Sequence, residues 1–227
     1  SLFYHRLHHC GRMLAHRQHH PPEPVPGTMG IRSQATTPSI RPLNKKNMLT
    51  TTTITSKNAN DESLRALYES AFPTEEQIPY DVLIYLLDVI DIDYTAYSDG
   101  HNFLGLTMVL RLSDYNWGWY FAVREELRGK GYGQQILTAL LDKYSTGLPF
   151  IIDIESPLQN DAPNPEQRRR RHAFYLRNGL KDTPTSRTFE GITYTIMTNS
   201  DALFTQQDYD NLIAALRSVW QNMPSAS

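Results

Sequence analysis

The sequence predicts an α+β fold, an α/β sandwich in which helices flank a mixed, mainly antiparallel sheet of about six or seven strands. Three strand patterns follow one another closely at residues 92–97, 103–111 and 116–123, and only short turns rich in Asp, Gly and Ser separate them. Short turns join antiparallel neighbours, so these strands belong to one sheet. Helical patterns of apolar residues lie before and after them.

The elements before these strands follow from local patterns. Residues 50–56 are rich in β-branched threonine and predict a strand. Asn60 or Asp61 can cap a helix, in which apolar residues recur at helical spacing as far as Phe72. A second helix is predicted at residues 80–90.

The elements after these strands alternate between helix and strand. A helix at residues 134–144 carries one apolar stripe, and a buried strand at 150–154 ends at Glu155. Pro165 opens a further helix, and Gly179 stands where a glycine favours a helix C-terminus. The remaining elements are a hairpin of strands at 186–189 and 193–198 and a helix at 206–220.

Composition limits the possible functions. The chain has 227 residues and a formal net charge of −2, which gives no general attraction to nucleic acid or an anionic membrane. Its single cysteine, Cys10, cannot form an internal disulfide, so a reducing compartment is the default. No stretch approaches the ~18 apolar residues of a membrane span, and the N-terminus lacks the apolar core of a secretory signal. We therefore expect a cytoplasmic protein with neither a nucleic-acid nor a membrane partner.

The first 47 residues differ from the rest, because six of the eight histidines lie in the first twenty positions and prolines cluster after them. They show no helical or strand periodicity, so we expect a disordered extension, with Met48 opening the functional chain. A transit peptide and a metal site are weaker interpretations, and we expect no metal. The candidate ligands would be His5, His8, His9 and Cys10. The chain thus divides into an extension (1–47), one domain (48–200) and a C-terminal helix (201–227) packed on that domain or on a partner.

A glycine-rich loop lies between the predicted strand at residues 116–123 and the predicted helix at residues 134–144. Residues 128–133 read Arg-Gly-Lys-Gly-Tyr-Gly. Glycine lets the backbone approach a ligand closely and adopt positive φ. The N–H groups and the partial positive charge at the start of a helix favour an anion, and Arg128 and Lys130 add positive charge. The loop therefore predicts a phosphate site.

Two other phosphate-binding loops do not fit this sequence. A P-loop requires Lys followed by Ser or Thr, and neither pair stands at the right place. A dinucleotide fingerprint requires its third glycine where this chain has Gln134. That fingerprint also follows the first strand of a βαβ unit, whereas this loop follows a run of antiparallel strands.

Two segments resemble one known family. Residues 123–133 (VREELRGKGYG) resemble the acetyl-CoA signature of the GNAT superfamily of N-acetyltransferases, whose core is Arg/Gln-x-x-Gly-x-Gly/Ala. Residues 174–180 (FYLRNGL) resemble the downstream Phe-Tyr-x-x-x-Gly-Phe segment, with Leu180 in place of phenylalanine. The order of elements over roughly residues 50–200 is also similar. The resemblance implies the acyl-CoA N-acyltransferase fold and an enzyme that moves an acetyl group from acetyl-CoA to a primary amine.

The resemblance also implies roles for individual residues. The backbone at Ala122 and Val123 would hydrogen-bond the pantetheine arm, and the loop amides would bind the pyrophosphate. The amine would attack the thioester directly through a tetrahedral intermediate, whose oxyanion a backbone N–H near Val123 would bind. Tyr175 would protonate the leaving thiolate. The implied cofactor-binding residues are Ala122, Val123, Arg128, Gly129, Lys130, Gly131, Tyr132 and Gly133.

The general base is left open by the sequence. An amine is mostly protonated at neutral pH and must lose a proton before it attacks. Glu155, at the end of a predicted strand, would face the cleft and is the first candidate. Asp153, two residues earlier on the same face, and water are the alternatives.

Other functions also stay open. Residues 168–171 are four consecutive arginines, which point around a whole helix. We expect a solvated helix start, with one arginine reaching the CoA phosphates, rather than a nucleic-acid surface. A non-catalytic CoA-binding module is the main alternative function, and a scaffold or homodimer using the terminal helix is another. The loops at 58–77 and 156–166 would select the acceptor, which the sequence does not identify.

Overall fold

The computed structural model describes residues 49–72, 74, 77–189 and 191–221. The predicted extension at 1–47 and Met48 lie outside these residues, and so do the candidate metal ligands His5, His8, His9 and Cys10. The strands are β1 (Thr50–Ile54), β2 (Ile92–Ser98), β3 (Phe103–Arg111), β4 (Asn116–Val123), β5 (Phe150–Glu155), β6 (Lys181–Phe189) and β7 (Ile192–Thr198). The α-helices are α1 (Glu62–Ala71), α2 (Tyr80–Val89), α3 (Tyr132–Lys143), α4 (Pro165–Arg177) and α5 (Gln206–Gln221), and a 3₁₀ helix (Glu125–Leu127) precedes α3.

The seven strands form one sheet in the order β1-β2-β3-β4-β5-β7-β6. All neighbours are antiparallel except β4 and β5, which are parallel. A parallel pair needs a long crossover, and α3 supplies it. The prediction of a mixed, mainly antiparallel sheet flanked by helices is confirmed.

Helices cover both faces of the sheet. Buried side chains of α1, α2 and α5 join one large apolar cluster, and Leu137 and Leu140 of α3 join a second cluster with β5. The Asp61 side chain caps α1 by accepting a hydrogen bond from the Ser63 N–H at 2.8 Å. In the terminal helix, Tyr209, Leu212 and Ile213 are buried in the large cluster, so α5 packs on the domain.

Two elements begin two or more residues before their predicted start, and each has a physical reason. Helix α3 begins at Tyr132, because its N-cap Gly131 adopts a φ of +86° and the chain turns into the helix there. Strand β6 begins at Lys181, five residues before its predicted start. Its pairing with β7 shifts between Asp182 and Ser186, around Pro184, and this irregularity conceals the strand pattern.

Strands β4 and β5 separate after a short contact. They pair over three positions, which end at Gly118 and Ile152. On the other side of β4, Val109 pairs with Gly118 and Met108 pairs with Tyr120, so Trp119 is an extra residue, a β-bulge. A bulge bends its strand and increases the twist. From this point β4 follows β3 away from β5, and a wedge-shaped cleft opens between the two strands.

None of the helices in the described ranges combines the length and apolar character needed to cross a bilayer. The cytoplasmic location expected from the sequence stays a prediction.

Candidate active site

Two adjoining cavities lie in and beside the cleft between β4 and β5. The loop cavity, of about 540 Å³, is lined by the glycine loop, the end of β4 and α4. The strand cavity, of about 390 Å³, is lined by the middle of β4, by β5 and by one face of α4. Arg171 and Tyr175 line both cavities, so the two meet at one face of α4.

The loop cavity has the backbone geometry that suits a phosphate. Gly129 and Gly131 adopt φ values of +74° and +86°, and a Cβ at either position would point into open space. The first N–H groups of a helix have no intrahelical acceptor, and Gly131 has no side chain that could cap them. An anion at this position would accept those hydrogen bonds.

The structure places most of the predicted cofactor-binding residues around the loop cavity. Those that line it are Ala122, Val123, Arg128, Gly129, Gly131 and Gly133. Lys130 and Tyr132 belong to the same loop but are not among the lining residues. Lys130 is exposed, and Tyr132 is partly buried against the apolar cluster of Tyr97, Leu104 and Ile136.

Helix α4 contributes residues to the loop cavity that the sequence patterns did not single out. Phe174 and Arg177 line it, and the Arg177 guanidinium carbon lies 5.1 Å from the centre of the Phe174 ring. The Phe174 ring stacks on that of Phe121 in β4, with 6.3 Å between centres. Helical spacing from Tyr175 gives no signal for these two residues, which lie one position before it and two after it, whereas Arg171, four positions before Tyr175, shares its helix face.

Tyr175 is a neutral phenol at physiological pH. Burial raises its pKa most strongly, the Arg171 guanidinium lowers it and the nearby Asp153 carboxylate raises it, and together these effects bring the pKa to about 12. Because this side chain lines both cavities, a protonated hydroxyl group stands where the cavities meet.

Two carboxylates of β5 line the strand cavity in different surroundings. The Asp153 Oδ1 accepts a hydrogen bond from the indole N–H of Trp117 at 2.9 Å. Glu155 forms ion pairs with Arg168 at 2.8 Å and with Arg171 at 3.5 Å. The carboxylate of Asp153 thus has a neutral donor, and that of Glu155 has two cationic donors.

The expectation of a solvated arginine cluster is wrong for Arg168. This side chain is 2% exposed and ranks among the largest fully buried side chains. Arg169 and Arg170 are exposed, as expected for a helix surface. Arg171 turns towards the cavities and pairs with Glu155. Four consecutive arginines therefore have different surroundings, set by the direction in which each leaves the helix.

In the part of the chain that the structure describes, no cluster of three or more His, Cys, Asp or Glu side chains could hold a metal ion.

Residues 61–151 match the family model described as "Acetyltransferase (GNAT) family". The matched region runs from the start of α1 through the glycine loop to the start of β5. Over these residues the chain is similar to the GNAT acetyltransferases. No match to the chain is found among curated proteins.

Solved structures show the same fold. A GNAT-family acetyltransferase from Bacteroides thetaiotaomicron aligns with a TM-score of 0.61 at 20% identity, covering 77% of this chain and 99% of its own. The ribosomal-protein-S18-alanine N-acetyltransferase from Escherichia coli aligns with a TM-score of 0.50 at 14% identity, covering 70% of this chain and 100% of its own. The GNAT acyl-CoA N-acyltransferase fold expected from the sequence is confirmed.

The glycine at position 131 provides a test of the glycine loop as a binding site for CoA. Gly131→Val adds a branched side chain at the head of α3 and strains a backbone with positive φ. We expect the Kd for CoA, measured by titration calorimetry, to rise at least ~10-fold, which corresponds to about 1.4 kcal/mol.

Gly147→Val is the matched control, because Gly147 has a φ of +90°, open space around its Cβ and a position after the other end of α3. It introduces the same kind of strain, and the Kd should stay within about twofold of the parent value. Equal losses of affinity in both variants would show that strain, rather than the loop, causes the effect.

Proposed function

We propose that this protein is an N-acetyltransferase that moves the acetyl group of acetyl-CoA to a primary amine. Acetyl-CoA would bind in the loop cavity, and the amine would bind in the strand cavity. The observation that carries this proposal is the position of Tyr175, which lines both cavities where they meet. A donor and an acceptor held in these cavities would meet beside its hydroxyl group.

The end of β4 suits the pantetheine arm of the donor. Ala122 and Val123 pair with Leu106 and Gly105 of β3, and they lie beyond the stretch in which β4 pairs with β5. The side of β4 that faces away from β3 therefore borders the loop cavity at these positions. An extended amide-containing arm placed there could hydrogen-bond the strand as a further strand would.

The reaction that fits this arrangement is direct acyl transfer. The amine nitrogen forms a bond to the thioester carbonyl carbon, and an oxyanion develops as the tetrahedral intermediate forms. The C–S bond then breaks, and Tyr175 donates its proton to the departing thiolate. The base takes one proton from the ammonium before the attack, a second proton leaves the nitrogen to solvent as the intermediate collapses, and solvent later restores the proton of Tyr175.

The two carboxylates of β5 differ as candidates for that base. Protonating Glu155 would weaken its ion pair with Arg168 and leave a buried cation without its carboxylate, which is costly. Asp153 accepts a hydrogen bond from Trp117, which donates as a neutral group. We therefore propose Asp153 as the base that accepts the proton of the amine, with Glu155 as the second candidate.

A panel of amines tests the proposed activity. Release of CoA from acetyl-CoA, followed with a thiol reagent, should depend on one class among peptide N-termini, lysine, polyamines, aminoglycosides and small metabolites. Mass spectrometry should find one added acetyl group on that amine. A protein that binds CoA yet acetylates no member of the panel would instead be a non-catalytic CoA-binding module.

Tyr175→Phe removes the proposed acid and little else. We expect kcat to fall by ~10²-fold or more, while the Kd for CoA changes less than about twofold. A kcat within a few fold of the parent value would contradict the role.

The pH dependence gives a second readout for Tyr175. Because its pKa is raised to about 12, the phenol stays protonated at pH 10, and kcat should not decline up to that pH. An ordinary tyrosine, with a pKa near ~10, would already be half ionised there. A decline centred near pH 10 that Tyr175→Phe abolishes would contradict the raised pKa.

Asp153→Asn tests the choice of base. At pH 7 we expect kcat/KM for the amine to fall ~10²-fold or more, because an ammonium would then have to lose its proton without help. The defect should shrink towards pH 10, where more of the amine is already neutral in solution. Glu155→Gln is the matched comparison. A pH-dependent defect of that kind in Glu155→Gln alone would assign the base to Glu155.

A further inference from the structure

Arg168 carries a buried charge that the reaction described above does not use. It lies in the first turn of α4 and is 2% exposed. Removing a charged group from water costs several kcal/mol unless good hydrogen bonds and an opposite charge compensate for it. The contacts of its guanidinium group therefore show what the buried charge holds together.

Each side of the Arg168 guanidinium donates to a different part of the chain. Nη2 donates to Oε1 of Glu155 at 2.8 Å, Nη1 to Oε1 of Gln159 at 2.9 Å, and Nε to Oδ1 of Asn164 at 2.8 Å. Glu155 is the last residue of β5, and Asn164 is the N-cap of α4. One planar group thus fixes the start, the middle and the end of the loop between β5 and α4.

Gln159 extends this network to the β6–β7 hairpin. Its Oε1 also accepts a hydrogen bond from the Thr193 N–H at 2.9 Å, and its Nε2 donates to the Gly191 carbonyl oxygen at 2.6 Å. The backbone adds a further link, from the Ser156 N–H to the Thr193 carbonyl oxygen at 2.7 Å. The loop is therefore held between α4 and β7.

The residues held in this way border only one of the two cavities. Glu155 and Asn164 line the strand cavity, together with Gln167 from the first turn of α4. None of these three residues lines the loop cavity. The network therefore shapes the wall of the proposed acceptor cavity. It meets the proposed donor site through Arg171, which pairs with Glu155 and lines both cavities.

We propose that Arg168 is a positioning residue for the amine acceptor: its contacts with Glu155, Gln159 and Asn164 fix the loop between β5 and α4 and so hold Glu155 and Asn164 at the wall of the acceptor cavity. The inference rests on the proposed acetyltransferase function. It gives Glu155 a structural role in the same network. Loss of Arg168 then weakens acceptor binding and leaves acetyl-CoA binding unchanged.

Two substitutions separate the geometry of Arg168 from its charge and volume. Methionine is long and flexible enough to fill much of the space with an apolar chain, and replacing a buried ion pair by apolar groups is often tolerated. Lysine retains the charge, but its compact ammonium cannot present the planar fork of a guanidinium to three acceptors. Arg170→Met is the matched control, since Arg170 lies on the exposed side of the same helix.

Steady-state kinetics with both substrates test the proposal. In Arg168→Met and Arg168→Lys we expect the KM for the acceptor to rise at least ~10-fold, which corresponds to about 1.4 kcal/mol. The KM for acetyl-CoA and the Kd for CoA should stay within twofold, and kcat should fall less than the acceptor KM rises. Arg170→Met should leave all four constants unchanged. An unchanged acceptor KM, or an equal rise in both KM values, would overturn the proposal.

Gln159→Met provides the test if Arg168→Met fails to fold. This variant retains the ion pair between Arg168 and Glu155. It removes the hydrogen bonds by which Gln159 joins the loop to Arg168 and to the β6–β7 hairpin. We expect the same selective rise in acceptor KM, together with faster amide hydrogen exchange at residues 156–164 and unchanged exchange at 128–134. Unchanged exchange and kinetics would overturn the proposal.

The outcomes distinguish this inference from the proposed function. If the parent protein acetylates no amine, both the proposed function and the positioning role of Arg168 are wrong. If it acetylates an amine and the Arg168 variants keep their acceptor KM, only the positioning role is lost.

Discussion

The separation of β4 from β5 is the constraint on which the rest of the site depends. In a continuously paired sheet, the backbone groups at the end of β4 would bond to β5, and no ligand could reach them. The bulge at Trp119 and the loss of pairing after Gly118 prevent this. Gly118 itself is needed at the last contact, because a Cβ there would lie 2.6 Å from the Phe150 ring and 2.7 Å from Ile152. Close approach at one end and divergence at the other create the cleft into which α4 projects Tyr175.

Most of the fold could be predicted because its signals are local. Strands β3 and β4 begin and end at the predicted residues, and the Asp61 cap of α1 is visible in the sequence as a polar residue before an apolar repeat. The bulge could not be predicted, since an extra residue in β4 appears only when the register with β3 is known. The first half of β6 was missed because Pro184 interrupts its pattern. In both cases the missing information is the pairing of distant segments.

In the candidate site, too, the features that depend on neighbouring residues could be predicted, and those that depend on distant segments could not. The glycine loop consists of six consecutive residues, so its geometry could be predicted. Tyr175 was identified as a candidate acid only through the family resemblance. Arg168 was misjudged because consecutive arginines say nothing about which of them faces the interior. Its burial depends on Glu155, which lies 13 residues away, and on Gln159, which reaches a strand 34 residues further along the chain. The carboxylates could be identified as candidates, but the arginines that distinguish Glu155 from Asp153 could not.

The raised pKa of Tyr175 bears on how it can serve as an acid. A phenol with a pKa of about 12 is a weak donor towards a thiolate whose parent thiol has a pKa near ~8.5 in water. Desolvation, however, disfavours the charged form of any acid, so a thiolate leaving inside the same cleft also has its pKa raised. The Arg171 guanidinium acts in the opposite direction on Tyr175 and lowers the pKa of its phenol. Burial thus raises the pKa of donor and leaving group alike, and Arg171 limits the rise for Tyr175, so proton donation by Tyr175 is consistent with its partly buried position.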